Sequence, residues 1–374
     1  MRVLILSCNT GEGHNAAGKA VLEQVRANGH HADMEDFMLM AGPRTSKIVG
    51  GSYVGMVKHM PYLFHMAYRA GEGISSAQRK SPVYAANTLM AKHLKNFLNL
   101  HPYDVIVTPH LFPAETITYM KKHGMLHQKA VAVMTDYTCV PFWEETNCDY
   151  YIVPHRELLG ECVNKGLPKE KLLPFGIPVG RAFSTKKDVR QARLDCGLRP
   201  DAPVYLIMSG SMGFGRVNLF AAELSRQCRN GEQIVIICGH NENMRKTLSR
   251  QFQGKENMHI LGFTGRISDY MDACDVVFTK PGGLSSTEAA VKRVPIVHTA
   301  PIPGCETKNV EFFTSRGMSV AAKQIGEQVA CGSRLVREPA ARKEMIAAQE
   351  RNISTHASQD LTRLLQQLSE GETL

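Results

Sequence analysis

The chain has 374 residues, with 44 Lys and Arg against 35 Asp and Glu for a net charge of +9, and 43% hydrophobic and 21% charged residues. That length exceeds the size at which one core keeps growing, so two domains are expected, and the composition is that of a globular protein rather than a disordered one. No run of about 18 apolar residues occurs, so no membrane span is expected.

The opening "RVLILS" reads as a strand, too short and wrongly flanked for a signal peptide, and a cytoplasmic location is expected. The loop "CNTGEGHN" follows, and a helix is predicted from about Asn15 to Asn28. Read as G-x-G-x-x-A, with Gly11, Gly13 and Ala16, the loop matches a dinucleotide fingerprint, with Asp33 near the distance of a ribose acid. His14 has no place in such a cradle, and its presence leaves the loop's ligand open. The run "DMED", Asp33 to Asp36, is expected to close a weak second strand; no D-x-D metal motif stands out, and no metal site is expected.

From Ala41 to Leu100 there are eight Lys or Arg and one acid, Glu72, interleaved with aromatics, Met and Val. Lys58, Tyr62, Phe64 and Arg69 lie in its centre. Such a stretch suits a surface resting on anionic lipid; a buried helix pair with a solvated basic face is the plainer alternative. No nucleic-acid partner is expected. Ten cysteines are scattered singly from Cys8 to Cys331 without a C-x-x-C pair, which fits buried thiols in a reducing compartment.

Strand runs "YDVIVTP", "KAVAVMTD" and "DYYIVP" then alternate with helical stretches, the pattern of a parallel sheet covered on both faces. A segment rich in Pro, Gly and charge, "LLPFGIPVGRAFSTKKDVRQARLDCGLRPDAP", breaks the rhythm and holds the expected junction. The same β/α pattern restarts at "VYLIMSGSMGFGRV". Residues 1–176, 177–345 and a helical tail 346–374 are the expected divisions.

The second half carries the most specific motif, "TKPGGLSSTEAAVKRVPIVHTAPIPGCETKN". Gly282 and Gly283 turn the chain out of a strand into a helix, with Ser285 or Ser286 as expected cap. Free N–H groups and the dipole at such a helix start attract phosphate, and Glu288 can accept from a ribose diol. The plainer reading of Glu288 is a capping box. Two more loops, "SGSMGFG" and "CGHN", the latter with Gly239, end strands of the same sheet. Three such loops fit a nucleotide diphosphate.

These motifs, with "GFTGRISDYMDACDVVFTKPGGLSSTEAAVKRVPIV" and "PIPGCETKN", resemble the donor half of family-28 glycosyltransferases. "SCNTGEGHNAAGKAV", "MTDYTCVPFW" and "FGIPVGRAF" resemble the monogalactosyl- and processive glucosyl-diacylglycerol synthases of that family. The resemblance spans nearly the whole chain. It implies an α/β GT-B fold, two facing Rossmann-like domains with a cleft between them, residues 1–176 binding acceptor and membrane and 177–345 the nucleotide sugar. It also implies a UDP-sugar as co-substrate, no further cofactor, and inverting transfer.

Carried over by position, Gly262, Phe263 and Thr264 lie by the uracil; Ser211, Met212 and Gly213 face the diphosphate. Gly282, Gly283, Ser285, Ser286 and Thr287 cradle it, Glu288 holds the ribose, and Glu306 and Asn309 lie near the sugar or diphosphate. Cys305 stands where relatives commonly have Gln, so that amide contact to the sugar is missing and the sugar's identity stays open. His14 matches the histidine of the family's G-G-G-H loop, with Glu12 in place of the middle glycine. An imidazole near neutral pKa suits the removal of an acceptor proton, and His14 is the expected base. Asp136 orients it or acts in its place, with a turn aspartate as the plain alternative; Gly13 and His110 lie near the acceptor.

The reading is a transferase moving a hexose, glucose first and galactose second, from UDP to diacylglycerol or its glucosylated product on the inner face of the cell membrane. The alternatives are an N-acetylglucosaminyl transfer to an undecaprenyl-linked acceptor, a dinucleotide-dependent oxidoreductase, and a non-catalytic membrane-surface binder.

Overall fold

The computed structural model describes residues 1–8, 12–42, 80–208, 216–228, 231–302 and 304–372. Gly11, the expected lipid-docking residues Lys58, Tyr62, Phe64 and Arg69, and the expected diphosphate residues Ser211, Met212 and Gly213 lie outside them. Two compact units divide the chain, one comprising Met1–Arg181 with the segment from Ser354 onward, the other chiefly Ala182–Ile302 and Glu306–Ile353.

The first unit runs β1 (Arg2–Ser7), α1 (Glu12–Ala27), β2 (His31–Asp36), α2 (Pro82–Thr88), α3 (Ala91–Leu100), β3 (Val105–Thr108), α4 (Leu111–Lys122), β4 (Lys129–Val133), β5 (Tyr150–Ile152), α5 (Leu159–Asn164) and β6 (Leu172–Leu173). Its strands lie in the order β2-β1-β3-β4-β5-β6, and each neighbouring pair is parallel. Alternate side chains of β1 reach opposite faces: Val3 and Ile5 pack with Val21 and Val25 of α1, and Leu4 and Leu6 with Leu94 of α3 and Ile117 of α4. Both faces being covered, β1, β3, β4 and β5 read as continuous apolar runs rather than alternating ones.

Helix α1 begins at Glu12 rather than Asn15, so Gly13 and His14 belong to its first turn. The run "DMED" does not follow the second strand but forms most of it, paired to β1 from Arg2↔His31 to Ser7↔Asp36. Asp36 then caps the short 3-10 turn Phe37–Ala41 by accepting the N–H of Met38.

The second unit contains β7 (Val204–Met208), α6 (Val217–Gln227), β8 (Gln233–Ile237), α7 (Glu242–Gln251), β9 (Met258–Leu261), α8 (Ile267–Ala273), β10 (Val276–Thr279), α9 (Gly283–Val291), β11 (Ile296–His298), α10 (Cys305–Ser315), β12 (Val320–Ala321), α11 (Ile325–Arg337) and α12 (Pro339–Asn352). The order β12-β11-β10-β7-β8-β9 is the doubly wound arrangement of mononucleotide-binding sheets. Its core gathers Ile207, Ile234, Ile236 and Phe278 under Phe220, Leu224, Val329 and Met345.

The last helix, α13 (Ala357–Ser369), returns to the first unit. Leu361, Leu364, Leu365 and Leu368 recur at helical spacing and fill the α1 face of the first core. Each such leucine is worth about 1.5–3 kcal/mol relative to exposure. Ser358 fastens the start of α13 by donating to the carbonyl of Val179 at 2.9 Å. Among the described residues no helix is long and apolar enough to cross a membrane.

Candidate active site

In doubly wound sheets ligands gather outside the carboxyl ends of the strands, where the strand order reverses. In the first unit that point lies between β1 and β3, and the chain brings two imidazoles to it. His14 stands in the first turn of α1, just beyond β1; His110 follows β3 and caps α4. Their rings meet edge to face with centroids 4.8 Å apart.

The Nδ1 of His14 lies 2.9 Å from the carbonyl of Pro109 and 3.0 Å from the hydroxyl of Thr135. A carbonyl only accepts, so Nδ1 carries the proton and the lone pair is on Nε2. Burial pushes the His14 pKa below the ordinary 6.5, against the charge of Asp136 and the Pro109 carbonyl, which act to raise it. The ring is thus a neutral base at physiological pH.

His110 differs. Its Nδ1 accepts the N–H of Phe112 at 3.2 Å, and burial, with His14 beside it, drives its pKa well below 6.5. The residue expected near the acceptor thus has one ring nitrogen committed to a helix cap. Asp136 reaches His14 through charge, while Pro109 and Thr135 make the hydrogen-bond contacts that orient the ring. Neither was singled out by sequence: one is a strand-end proline, the other precedes the aspartate in "MTDY" and offers no charge to notice. Asp33, the acid of the dinucleotide reading, is occupied by Tyr103 at 2.8 Å and lies near Arg26 and His31.

The corresponding point of the second unit lies between β7 and β10. Past β10, Lys280 and Pro281 lead to Gly282, the N-cap of α9, which has no side-chain cap. The expected caps are not there: the Ser286 hydroxyl is buried 3.0 Å from Nε2 of His298, whose Nδ1 is 3.1 Å from Ser319. Burial pushes His298 down to about 3, so this chain of contacts is neutral. Thr287 donates to the carbonyl of Gly283 at 2.7 Å. Two of the three hydroxyls expected around a diphosphate therefore face the protein, and what α9 presents is its first-turn N–H groups, with Ser285 half-buried beside them.

Glu288 is the sixth residue of α9, too far along for a capping box. It is buried, and burial alone pushes its carboxyl up to about 8. No described side chain forms an ion pair with it, an arrangement that favours a ligand supplying hydrogen-bond donors.

Asn309 and Glu306 serve the loop. The Asn309 amide donates to the carbonyl of Pro281 at 2.9 Å. Glu306 pairs with Lys280 at 3.0 Å and accepts the N–H of Ile302 at 2.6 Å. Both residues, expected near the sugar or diphosphate, brace the turn into α9. Gly239, with φ +57°, turns the chain out of β8. Phe263 is 66% exposed and stacks on His240, centroids 4.4 Å apart at 17°. An exposed aromatic stack at a strand's carboxyl end is a platform for a planar base. Thr264 accepts the N–H of Arg266.

Two family models divide the chain between them: monogalactosyldiacylglycerol synthase over residues 14–179, and the C-terminal domain of glycosyltransferase family 28 over residues 204–361. The chain thus carries a monogalactosyldiacylglycerol synthase domain followed by a C-terminal domain of glycosyltransferase family 28. Relatives include a processive diacylglycerol β-glucosyltransferase of Staphylococcus saprophyticus, 27% identical over 383 residues, covering 99% of this chain and 95% of that one. One of the same name from Staphylococcus carnosus is 26% identical over 333 residues, covering 88% and 83%.

Among solved structures, MurG of Acinetobacter baumannii matches with a TM-score of 0.63 at 14% identity over 98% of this chain and 99% of that one. The calicheamicin glycosyltransferase CalG4 gives 0.63 at 12%, covering 99% and 98%. The UDP-GlcNAc 2-epimerase of Neisseria meningitidis, bound to UDP-GlcNAc, gives 0.61 at 12%, covering 98% and 100%. The fold is GT-B. Transferases and an epimerase share it, so the reaction is read from the site and the sequence relatives.

Proposed function

We propose that this glycosyltransferase moves glucose from UDP-glucose to the free hydroxyl of diacylglycerol with inversion, making a membrane glycolipid. The observation that carries the reading is His14, held with its Nδ1–H on the Pro109 carbonyl at 2.9 Å and its Nε2 lone pair unprotonated. Nε2 takes the proton of the acceptor hydroxyl as that oxygen bonds to the sugar's anomeric carbon. The bond from that carbon to the diphosphate oxygen breaks, and its electron pair leaves with UDP. The N–H groups and dipole of the α9 first turn stabilise the charge that develops there. Glu288 accepts from the ribose diol, and Phe263 supports the uracil.

The relatives' names support diacylglycerol as acceptor and glucose as sugar. The eight cations and one acid between Ala41 and Leu100 support docking on the inner, anionic face of the cell membrane. The division of labour follows: the first unit handles acceptor and lipid, the second the nucleotide sugar.

Purified protein, incubated with radiolabelled UDP-glucose or UDP-galactose and vesicles containing dioleoylglycerol, is expected to yield labelled glycolipid, with glucose preferred. No labelled lipid from either donor would sink the reading. Product formed only on an undecaprenyl-linked acceptor, with UDP-N-acetylglucosamine, would replace it.

A further inference from the structure

We propose that Glu161 and Lys165 of the first unit are a positioning pair that fixes the loop after β4, and with it Thr135 and Asp136, against the His14 imidazole. This rests on the transfer reading above, in which His14 is the base. Both residues lie outside the motifs that carry the family resemblance.

The sheet holds one end of the loop. Beyond the last residues of β4 and β5, the N–H of Met134 still donates to the carbonyl of Ile152 at 2.9 Å. Thr135 and Asp136 come next, and both act on His14. The Thr135 hydroxyl lies 3.0 Å from Nδ1, and the charge of Asp136 favours a proton on the ring. The strands have ended here, so the place of these side chains depends on what holds the chain further along.

That second hold comes from α5. Its last turn continues to Lys165, whose N–H donates to the carbonyl of Glu161 at 3.1 Å. Side chains at i and i+4 share a helix face, and these two meet the same residue of the loop. Oε1 of Glu161 accepts the Thr138 hydroxyl at 2.6 Å and the N–H of Cys139 at 3.0 Å. The Lys165 ammonium donates to the carbonyl of Cys139. An anion thus grips one backbone group of Cys139 and a cation the other, and such charge-assisted bonds are about twice as strong as neutral ones. The buried Cys139 thiol hydrogen-bonds Cys162, which lies on α5 between the two clamping residues. Cys162, Leu158 and Leu167 are buried and root the helix in the unit.

Ordering two long side chains over one backbone residue costs rotamer freedom. What the clamp gains is a fixed point three residues past Asp136. The groups that face the His14 ring are the Pro109 carbonyl, the Thr135 hydroxyl, the Asp136 charge and the ring of His110. His110 is kept neutral by burial and by His14 itself. Of these, Thr135 and Asp136 ride on the clamped loop. A general base acts only when its lone pair is held in line with the proton it removes. Freeing the loop lets Thr135 and Asp136 drift, which loosens the ring and withdraws the groups that favour its protonated form.

The test uses full-length protein, UDP-glucose and vesicles carrying dioleoylglycerol. Glu161→Ala is expected to lower kcat by roughly 10- to 100-fold with KM for UDP-glucose unchanged. Glu161→Gln keeps an oxygen for the Cys139 N–H and is expected to restore most of that loss. In a His14→Ala background Glu161→Ala is expected to cost nothing further; the same loss there would mark a purely structural role and overturn the proposal. NMR titration of the His14 ring, assigned by its absence in His14→Ala, needs no turnover. Its midpoint is expected to fall below the parent's in Glu161→Ala. Thr138→Val, which removes one contact and leaves both charges, is the milder variant and is expected to shift it the same way by less. A midpoint that stays or rises in both variants overturns the clamp. A parent that transfers no glucose sinks the transferase reading, while the titration still decides whether Glu161 sets the His14 ring.

Discussion

The two units build the same parallel sheet and end it in opposite ways. At the reversal point of the first, two neutral imidazoles meet, one capping a helix and the other oriented by a carbonyl. At that of the second, a glycine turn exposes helix N–H groups while the neighbouring hydroxyls face inward and a lone carboxyl is buried behind them. Sheet topology therefore supplies the address of a site in both halves. Its chemistry comes from which groups keep a free lone pair or N–H once the fold has taken its share.

The largest expected effect tests the first of these ends. His14→Ala removes the lone pair, and positioned acid–base groups contribute about 10²–10⁴-fold. A loss of kcat of that size is expected, with UDP affinity, measured by calorimetry, close to the parent's. In the parent, activity should fall in acid with an inflection below 6.5, because His14 must be unprotonated and its pKa is lowered by burial. A variant that turns over normally would erase the contrast between the two ends.

The next effect separates the units by how they hold charge. Lys292 and Asp272 form a pair at 2.5 Å with both side chains 1% exposed, and Lys292 also donates to the carbonyl of Thr185. In the first unit Asp149 pairs with Lys121 and Lys129 at a partly open edge. Removing one partner of a fully buried pair strands the other, at about 3–5 kcal/mol, whereas exposed pairs are worth about 0–1 kcal/mol. Urea unfolding of Lys292→Met is expected to show the larger loss and that of Lys129→Met a small one; equal losses would contradict the distinction.

Packing in the second unit gives a smaller, sharper test. Gly332 of α11 lies against the Phe278 ring, and a Cβ there would come within 2.2 Å of it. Phe278 is on β10, one turn of chain before the glycine loop. Gly332→Ala is expected to cost about 1–3 kcal/mol by overpacking, read as a lower urea midpoint. A midpoint equal to the parent's would show that β10 yields at this contact.

Much of this was legible beforehand, for physical reasons. Apolar runs ending at Pro or Gly marked the strands, and the glycine turn before "LSSTEA" marked the start of α9. The acid at Glu288 was visible because a carboxylate in an apolar helix is conspicuous. What sequence did not tell was where short polar side chains turn. Ser286 and Thr287 sit among phosphate-binding neighbours, yet helical geometry points one at His298 and lets the other bond back to Gly283. Asn309 and Glu306 likewise brace the loop from α10. Pro109 was invisible because its contribution is a backbone carbonyl. The start of α1 was misplaced for the same kind of reason: glycine-rich sequence reads as loop, but Gly13 and His14 continue a helix anchored further along by Val21 and Val25.

The smallest effect probes the second end by pH. Glu288 is raised by burial from 4.5 to about 8, so the unliganded protein holds a proton that the unfolded chain has released across that window. The folded state binds more protons than the unfolded one there, so this group's contribution to stability falls as pH rises toward about 8. A ribose diol donating to the carboxylate reverses the preference and lowers the bound-state pKa. UDP binding then expels the proton, and affinity should climb with pH by up to about tenfold per unit before levelling near 8. Glu288→Gln has no proton to release. The difference between the parent and variant slopes, which cancels titration of UDP itself, isolates this carboxyl; parallel slopes would remove Glu288 from the nucleotide site.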